Sequence, residues 1–223
     1  MIRLGVLVSG NGTNLQAIID AIEAKKLDAG VNVVISNNPN AYAIQRAKNH
    51  NIPVEVILNS TSSAREDYDS IIIETLKRYS VDLVVLAGFM RLLSSKFIRA
   101  FPMRIMNIHP ALLPAFPGLN VQKKAIDYGV KFSGATVHFV DDGVDTGPII
   151  IQAVVPVYDD DTEETLAERI LKEEHRIYPY AIQLFAEGRL EIKGRRVIVK
   201  DSKKLEPPYL ENPVVSSNKH LLK

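Results

Sequence analysis

The chain has 223 residues, of which 46% are hydrophobic and 24% charged, within the ordinary range for a globular protein. Its formal net charge of +1 argues against a protein that binds nucleic acid or a membrane surface through charge. It contains no cysteine, which excludes disulfides, thiolate metal ligands and a cysteine nucleophile. No apolar run approaches the roughly 18 residues of a membrane helix, and we expect a cytoplasmic protein.

The first half of the chain alternates strand and helix. The apolar run Ile2–Val8 predicts a buried strand, and apolar residues then recur at helical spacing: Leu15, Ile18, Ile19 and Ile22. Further strands are predicted at 31–36, 54–58 and 82–88, and helices at 41–51, 65–79 (capped by Ser62 or Ser63) and 94–100. This alternation indicates a parallel sheet, whose ligands bind beyond the C-terminal ends of the strands.

The loop between the first strand and the first helix carries Gly10 and Gly12, followed by Thr13 and Asn14. Free backbone N–H groups and the positive end of the helix dipole meet at such a point, so the loop predicts a site for a small phosphate. It lacks the third glycine of a dinucleotide-binding loop and the Gly-Lys-Ser/Thr of a nucleoside triphosphate loop. The alternative is an ordinary tight turn.

Two more segments fall at strand ends on the same edge of the sheet. The apolar residues of 88–93 either belong to the core or line a slot for a flat heteroaromatic ligand. Farther along, an apolar run at 104–108 leads into a loop with three prolines. At this junction Asn107 and His109 stand two residues apart, and therefore on one face of the strand. The alternative for this pair is the capping of a turn.

The second half predicts a helix at 121–128, a strand at 133–140, an antiparallel strand at 148–157, a helix to about 187 and a hairpin at 190–200. His138 faces either the core or a site. The loop 141–148 holds three acids and two glycines, and it is either a solvated hairpin loop or the support of an active-site carboxylate. The fold class that follows is α/β, with a Rossmann-like, mostly parallel sheet, helices on both faces and an antiparallel C-terminal portion.

The polar residues at these strand ends suit group transfer between two bound substrates. No histidine pair has the spacing of a zinc site, and no Gly-x-Ser-x-Gly motif supports a serine nucleophile. Asn107 would donate a hydrogen bond to an oxygen that gains negative charge, and His109 would bond that oxygen or carry a proton. A nearby carboxylate, Asp145, would favour the imidazolium form of His109.

Four segments (9–16, 88–93, 107–118 and 141–148) together resemble the phosphoribosylglycinamide formyltransferases of purine biosynthesis. The likeness runs from residue 1 to about 199. It implies transfer of a formyl group from 10-formyltetrahydrofolate to the amine of 5′-phosphoribosylglycinamide without a metal, giving formylglycinamide ribonucleotide and tetrahydrofolate. It also implies small-molecule partners, no nucleic acid, no membrane, and a monomer or homodimer.

The resemblance also assigns residues to roles. It implies a catalytic set of Asn107, His109 and Asp145. The substrate phosphate and ribose would contact Gly12, Thr13, Asn14 and Glu174. The folate would contact Arg65, Met90, Arg91, Leu92, Leu93, Asp141, Asp142, Gly143 and Val144. One position departs from the pattern, because Leu171 stands where some members carry a lysine toward the phosphate. We expect one formyltransferase domain at 1–200, with a phosphate-binding half at about 1–100 and a folate and catalytic half at about 101–200, and a surface tail at 201–223.

The sequence leaves three alternative functions to weigh against formyl transfer. A formyltetrahydrofolate hydrolase would use a similar triad with water as acceptor, but that family generally has an extra regulatory domain, and its motif diverges after the histidine, where Pro110 follows here. A methionyl-tRNA formyltransferase would need an RNA-binding domain and a basic balance. A nucleotide-binding module without catalysis would leave Asn107, His109 and Asp145 without a role.

Overall fold

The computed structural model describes residues 1–58 and 65–202. Its strands are β1 (Ile2–Val8), β2 (Ala29–Ser36), β3 (Val54–Val56), β4 (Leu83–Leu86), β5 (Ile105–His109), β6 (Phe132–Phe139), β7 (Ile149–Pro156), β8 (Leu190–Lys193) and β9 (Arg196–Val199). Its helices are α1 (Thr13–Glu23), α2 (Tyr42–Asn49), α3 (Arg65–Arg78), α4 (Ser95–Ala100), α5 (Val121–Tyr128) and α6 (Glu163–Ala186).

The strands form a single sheet in the order β3-β2-β1-β4-β5-β6-β7-β9-β8. The first five strands pair in parallel, as expected where helices connect them. β6 is antiparallel to both β5 and β7, and β8 is antiparallel to β9. The predicted fold class is therefore confirmed, including the antiparallel C-terminal portion.

Apolar side chains cover both faces of the sheet, and β1 contributes to each. Leu4 and Val6 belong to a core cluster that includes residues of α1 and α6, while Leu7 belongs to a second cluster with residues of α3 and α4. This division follows from the period of two along a strand, which sends successive side chains to opposite faces. The run Ile2–Val8 is apolar at nearly every position because both faces are buried.

Predicted and observed bounds differ by at most two residues, and the differences have local causes. The strand predicted at 82–88 ends at Leu86 because Gly88 has a φ of 76°, which turns the chain out of the sheet. The helix predicted at 41–51 ends at Asn49, since Asn51 has a φ of 56° that no helix allows.

Some expectations concern residues that the structure does not describe. The cap of α3 predicted at Ser62 or Ser63 lies outside the described residues, as does most of the tail predicted at 201–223. The division into one domain and a tail therefore stays a prediction. Within 1–58 and 65–202, no helix combines the length and the apolar character needed to cross a membrane.

Candidate active site

Asn107 and His109 lie at the end of β5, where the strand passes into the proline loop. The antiparallel register places Asn107 opposite His138 of β6, and His109 opposite Thr136. Directly opposed residues project from the same face of a sheet. The structure therefore brings His138, which the sequence left between core and site, to the side of Asn107. The two histidines are buried, with 5% of His109 and 2% of His138 exposed.

A chain of hydrogen bonds orients the amide of Asn107. Its Nδ2 lies 3.2 Å from Nε2 of His138, and Nδ1 of His138 lies 2.8 Å from the carbonyl oxygen of Phe139. Because a carbonyl only accepts, the proton of the neutral ring is assigned to Nδ1, and Nε2 accepts from the amide. Burial lowers the pKa of His138, and the Phe139 carbonyl and Asp145 partly oppose this shift. The lowered pKa favours the neutral ring. One amide N–H of Asn107 is thereby taken, and the second is left for a ligand.

His109 stands between two acceptors. Its Nδ1 lies 3.4 Å from Oδ2 of Asp145, and its Nε2 lies 2.9 Å from the carbonyl oxygen of Phe116. Because a carbonyl only accepts, Nε2 carries the proton that is donated to Phe116, and Nδ1 faces the carboxylate. The ring is therefore fixed between Asp145 and the proline loop.

Asp145 is held in place by its own backbone and by the proline loop. Its φ of 54° is left-handed, a conformation that aspartate adopts more readily than most other non-glycine residues. The backbone N–H of Gly118 donates to Oδ2 at 2.9 Å, and Oδ1 lies 3.7 Å from Nε2 of His138. The side chain is 14% exposed, so the carboxylate interacts with both histidines with little access for water.

The loop before α1 has the backbone geometry of an anion site. Gly12 has a φ of 72°, and a Cβ there would come within 2.5 Å of the Cβ of Ala43, so no other residue fits. No side chain caps the first turn of α1, and no acidic residue stands in it. Its N–H groups and the positive end of the dipole are thus left for a ligand. Beside the turn lies a cavity of about 390 Å³, lined by Thr13, Gln16, Ala17, Asp20, Arg46 and His175.

Glu174 of α6 lies next to this loop. Its Oε2 accepts a hydrogen bond of 2.7 Å from Nδ2 of Asn14, and its side chain is buried. Burial raises the pKa of Glu174, and the bond from Asn14 opposes this rise. Because the Asn14 side chain is engaged with Glu174, a phosphate in the loop would be met by the backbone N–H of Asn14. Leu171, one turn earlier on α6, brings no charge to this side.

The segment 88–93 is joined to the start of the loop before α1. The N–H of Ser9 donates to the carbonyl of Gly88 at 3.0 Å, and the N–H of Met90 donates to Oγ of Ser9 at 2.9 Å. Phe89 is buried, as the core reading expects, whereas Met90 is 69% and Leu92 54% exposed. Two large apolar side chains at a strand end are thus available to a ligand.

The remaining residues predicted to bind folate lie in four environments. Arg91 stacks on the ring of Tyr68 at 4.1 Å, and Leu93 packs against the second core cluster. In the loop 141–144, one carboxylate oxygen of Asp141 accepts from the N–H of Gly143 and from the hydroxyl of Thr146. The side chains that face solvent are those of Arg65, Asp142 and Val144. Their folate contacts stay predictions.

The described residues contain no group of three or more histidine, aspartate or glutamate side chains placed to hold a metal ion. What they do contain is a half-buried amide, two buried imidazoles and a carboxylate on the same sheet edge as the loop before α1. Such a set can stabilise an oxyanion and move a proton between two substrates.

The chain matches a known family over most of its length. A family model described as formyl transferase matches residues 2–182. The chain belongs to the formyl transferase family.

Named relatives within this family are similar in both sequence and structure. The solved structure of glycinamide ribonucleotide transformylase 1 from Symbiobacterium toebii has a TM-score of 0.89 and 54% identity, covering 90% of this chain and 95% of that one. The phosphoribosylglycinamide formyltransferase of Escherichia coli (strain K12) is 45% identical over 84% of this chain and 88% of its own length. The trifunctional purine biosynthetic protein adenosine-3 of Drosophila melanogaster is 50% identical over 83% of this chain, but the chain spans only 14% of that protein.

Proposed function

We propose that this protein transfers the formyl group of 10-formyltetrahydrofolate to the amine of 5′-phosphoribosylglycinamide in purine biosynthesis. The products are formylglycinamide ribonucleotide and tetrahydrofolate. The observation that carries the proposal is the meeting of Asn107, His109 and Asp145 on the same sheet edge as the loop before α1. An anion loop, an oxyanion donor and a proton carrier are the three parts that this reaction requires of a protein.

Asn107 is the donor to the formyl oxygen. As the amine attacks the formyl carbon, that oxygen gains negative charge, and a donor aimed at it lowers the barrier. The bond from Asn107 to His138 presents the N–H side of the amide rather than its carbonyl. Loss of one such donor typically lowers kcat about 100- to 1,000-fold.

His109 and Asp145 stabilise the developing charge and transfer the proton. A bond forms between the amine nitrogen and the formyl carbon, the bond from that carbon to N10 of the folate breaks, and one proton passes from the amine to N10. The reaction consumes no net proton, so a pair that takes and returns one is sufficient. The imidazolium that His109 becomes on taking this proton also stabilises the oxyanion, and the carboxylate 3.4 Å from its Nδ1 stabilises that charge until the proton passes to N10.

The binding residues divide between the two substrates. The backbone N–H groups of Gly12, Thr13 and Asn14 bind the phosphate, and Glu174 binds the ribose. The folate lies against the exposed apolar side chains of Met90, Leu92 and Val144, with Arg65, Arg91, Leu93, Asp141, Asp142 and Gly143 around it. A flat apolar ring system suits side chains that are large, apolar and exposed at a strand end.

The test compares deformylation of the folate with and without the amine substrate. The folate carries a ¹³C-labelled formyl group, and mass spectrometry follows the label. The proposal predicts rapid label transfer to phosphoribosylglycinamide and a background rate when the amine is left out. Release of labelled formate at one rate in both cases would indicate the hydrolase reaction instead and contradict the proposal.

We further propose that the protein acts in the cytoplasm as a monomer or homodimer. We also propose that residues 1–200 suffice for activity. Removal of 201–223 should then leave the transfer rate largely unchanged, and sedimentation of the intact chain with and without substrates reports the assembly state.

A further inference from the structure

The loop 10–12, which we propose binds the phosphate, is hydrogen-bonded to α2. The N–H of Ala43 donates to the carbonyl of Gly10 at 3.1 Å, and Nε of Arg46 donates to the carbonyl of Asn11 at 2.9 Å. Two successive carbonyls of the loop are therefore bound on the α2 side. In a trans peptide the C=O and the N–H point in opposite directions, so the N–H groups of Asn11 and Gly12, which share peptide planes with these two carbonyls, point away from α2.

Arg46 makes three contacts that no other cationic side chain could combine. Besides the carbonyl of Asn11, its Nη2 lies 3.2 Å from Oδ1 of Asn11, and its Nη1 lies 3.3 Å from Oε1 of Gln16. The guanidinium also lies 4.9 Å from the centre of the Tyr42 ring. A planar fork of donors can span the loop and the first turn of α1 at once, which a lysine ammonium cannot.

The same guanidinium lines the cavity beside the loop. Thr13, Gln16 and His175 are among its neighbours there, and the only carboxylate among the lining residues is Asp20. Nε2 of Gln16 donates to Oδ1 of Asp20 at 2.8 Å, so part of that negative charge is already bound. A fixed positive charge therefore lies where the phosphate of the substrate would be.

We propose that Arg46 is a positioning and specificity residue for the substrate phosphate, which it serves by fixing the loop 10–12 and by placing a cation at the cavity. This inference rests on the proposed function for the nature of the substrate, but not for the geometry. The proposal predicts a selective effect: substitution of Arg46 should raise the KM for an acceptor that carries a phosphate and leave the KM for the same acceptor without a phosphate unchanged.

The experiment pairs enzyme variants with two acceptors. Arg46→Gln and Arg46→Lys are compared with the wild type on phosphoribosylglycinamide and on its dephosphorylated nucleoside. The matched control is Lys48→Gln, which removes the same charge from an exposed position of the same helix. Thermal melting confirms that each variant is folded, and Arg46→Lys provides the test if Arg46→Gln does not fold.

The expected result is a KM for the phosphorylated acceptor that rises about 10- to 100-fold in Arg46→Gln, as loss of hydrogen bonds to a charged group predicts, with kcat little changed. The KM of Arg46→Lys for the phosphorylated acceptor should lie between those of the wild type and Arg46→Gln, because lysine keeps the charge but lacks the planar set of donors. The ratio of kcat/KM for the two acceptors should therefore collapse in Arg46→Gln and stay wild-type in Lys48→Gln. Equal loss on both acceptors, or no change in KM, would overturn the proposal.

Calorimetric titration with ribose 5-phosphate separates this inference from the proposed function. The titration measures phosphate binding even if the wild-type protein transfers no formyl group. Binding that is weakened in both Arg46 variants but kept in Lys48→Gln supports the role of Arg46. Equal binding in all four proteins contradicts it.

Discussion

Asn14 and Glu174, one from the first helix and one from the last, are joined by a hydrogen bond of 2.7 Å. The bond joins the loop that we propose binds the phosphate to the carboxylate that we propose binds the ribose, so the two parts of the proposed amine site are fixed relative to each other. It also partly compensates a carboxylate that is buried. A buried acid with one strong bond favours binding of a hydroxyl-bearing ligand at a cost to stability.

The first prediction concerns that cost. Burial raises the pKa of Glu174 above its unfolded value, so its contribution to stability is present below the unfolded pKa and is lost as pH rises through the folded pKa. Glu174→Gln should therefore melt at a higher temperature than the wild type at pH 8, with a smaller difference at pH 5. Calorimetric melting at both values provides the check, and a difference that shrinks with rising pH would contradict the burial argument.

The same variant should bind the amine substrate less well. A glutamine keeps an acceptor for Asn14 but loses the charge that attracts ribose hydroxyls. We expect a raised KM for phosphoribosylglycinamide and an unchanged KM for the folate. A raised KM for both substrates would show a disturbed fold rather than a lost ribose contact.

A negative charge in the phosphate loop should weaken phosphate binding selectively. Thr13→Glu places a carboxylate at the first turn of α1, where the helix dipole tolerates it, so the fold should be kept. Like-charge repulsion should raise KM for the phosphorylated amine by about 10-fold or more, and Thr13→Ser, which keeps the hydroxyl, should behave as the wild type. Steady-state kinetics on both variants measures this, and an unchanged KM in Thr13→Glu would refute the loop as a phosphate site.

His138 should influence turnover through Asn107. His138→Phe fills the space but removes the acceptor for the amide, which frees that amide to rotate. We expect kcat to fall by more than about 10-fold and by less than the roughly 1,000-fold that follows loss of an oxyanion donor. His138→Gln offers an acceptor again and should recover part of the rate. Equal kcat in the two variants would contradict an orienting role.

The sequence predicts what short-range patterns determine. The run Ile2–Val8 and the spacing of Leu15, Ile18 and Ile19 define β1 and the buried face of α1, and the structure has both where expected. The sequence also predicts that Asn107 and His109 share a face, since that needs only the period of a strand. The structure brings Asp145 to them, a meeting that the family resemblance implied and local patterns did not.

What the sequence leaves open depends on register and on contacts between distant elements. His138 faces the site because it pairs with Asn107 in the β5–β6 register, and an alternating strand does not indicate which face is buried. Arg46 gives no local signal, because it is one basic residue on a short helix until the fold brings it to Asn11. The bond between Asn14 and Glu174 likewise requires α1 and α6 to pack.

In the proposed mechanism the carboxylate of Asp145 acts on the reaction through His109. Asp145→Asn is nearly isosteric and keeps an acceptor for the N–H of Gly118, so it removes the charge and little else. The control is Asp127→Asn, which removes a carboxylate from an exposed position on α5.

The decisive measurement is kcat for formyl transfer in these two variants. We expect kcat to fall by about 100-fold or more in Asp145→Asn with little change in either KM, because general acid–base catalysis of this kind contributes about 100- to 10,000-fold. Asp127→Asn should keep the wild-type kcat. A wild-type kcat in Asp145→Asn would show that the carboxylate has no part in the transfer.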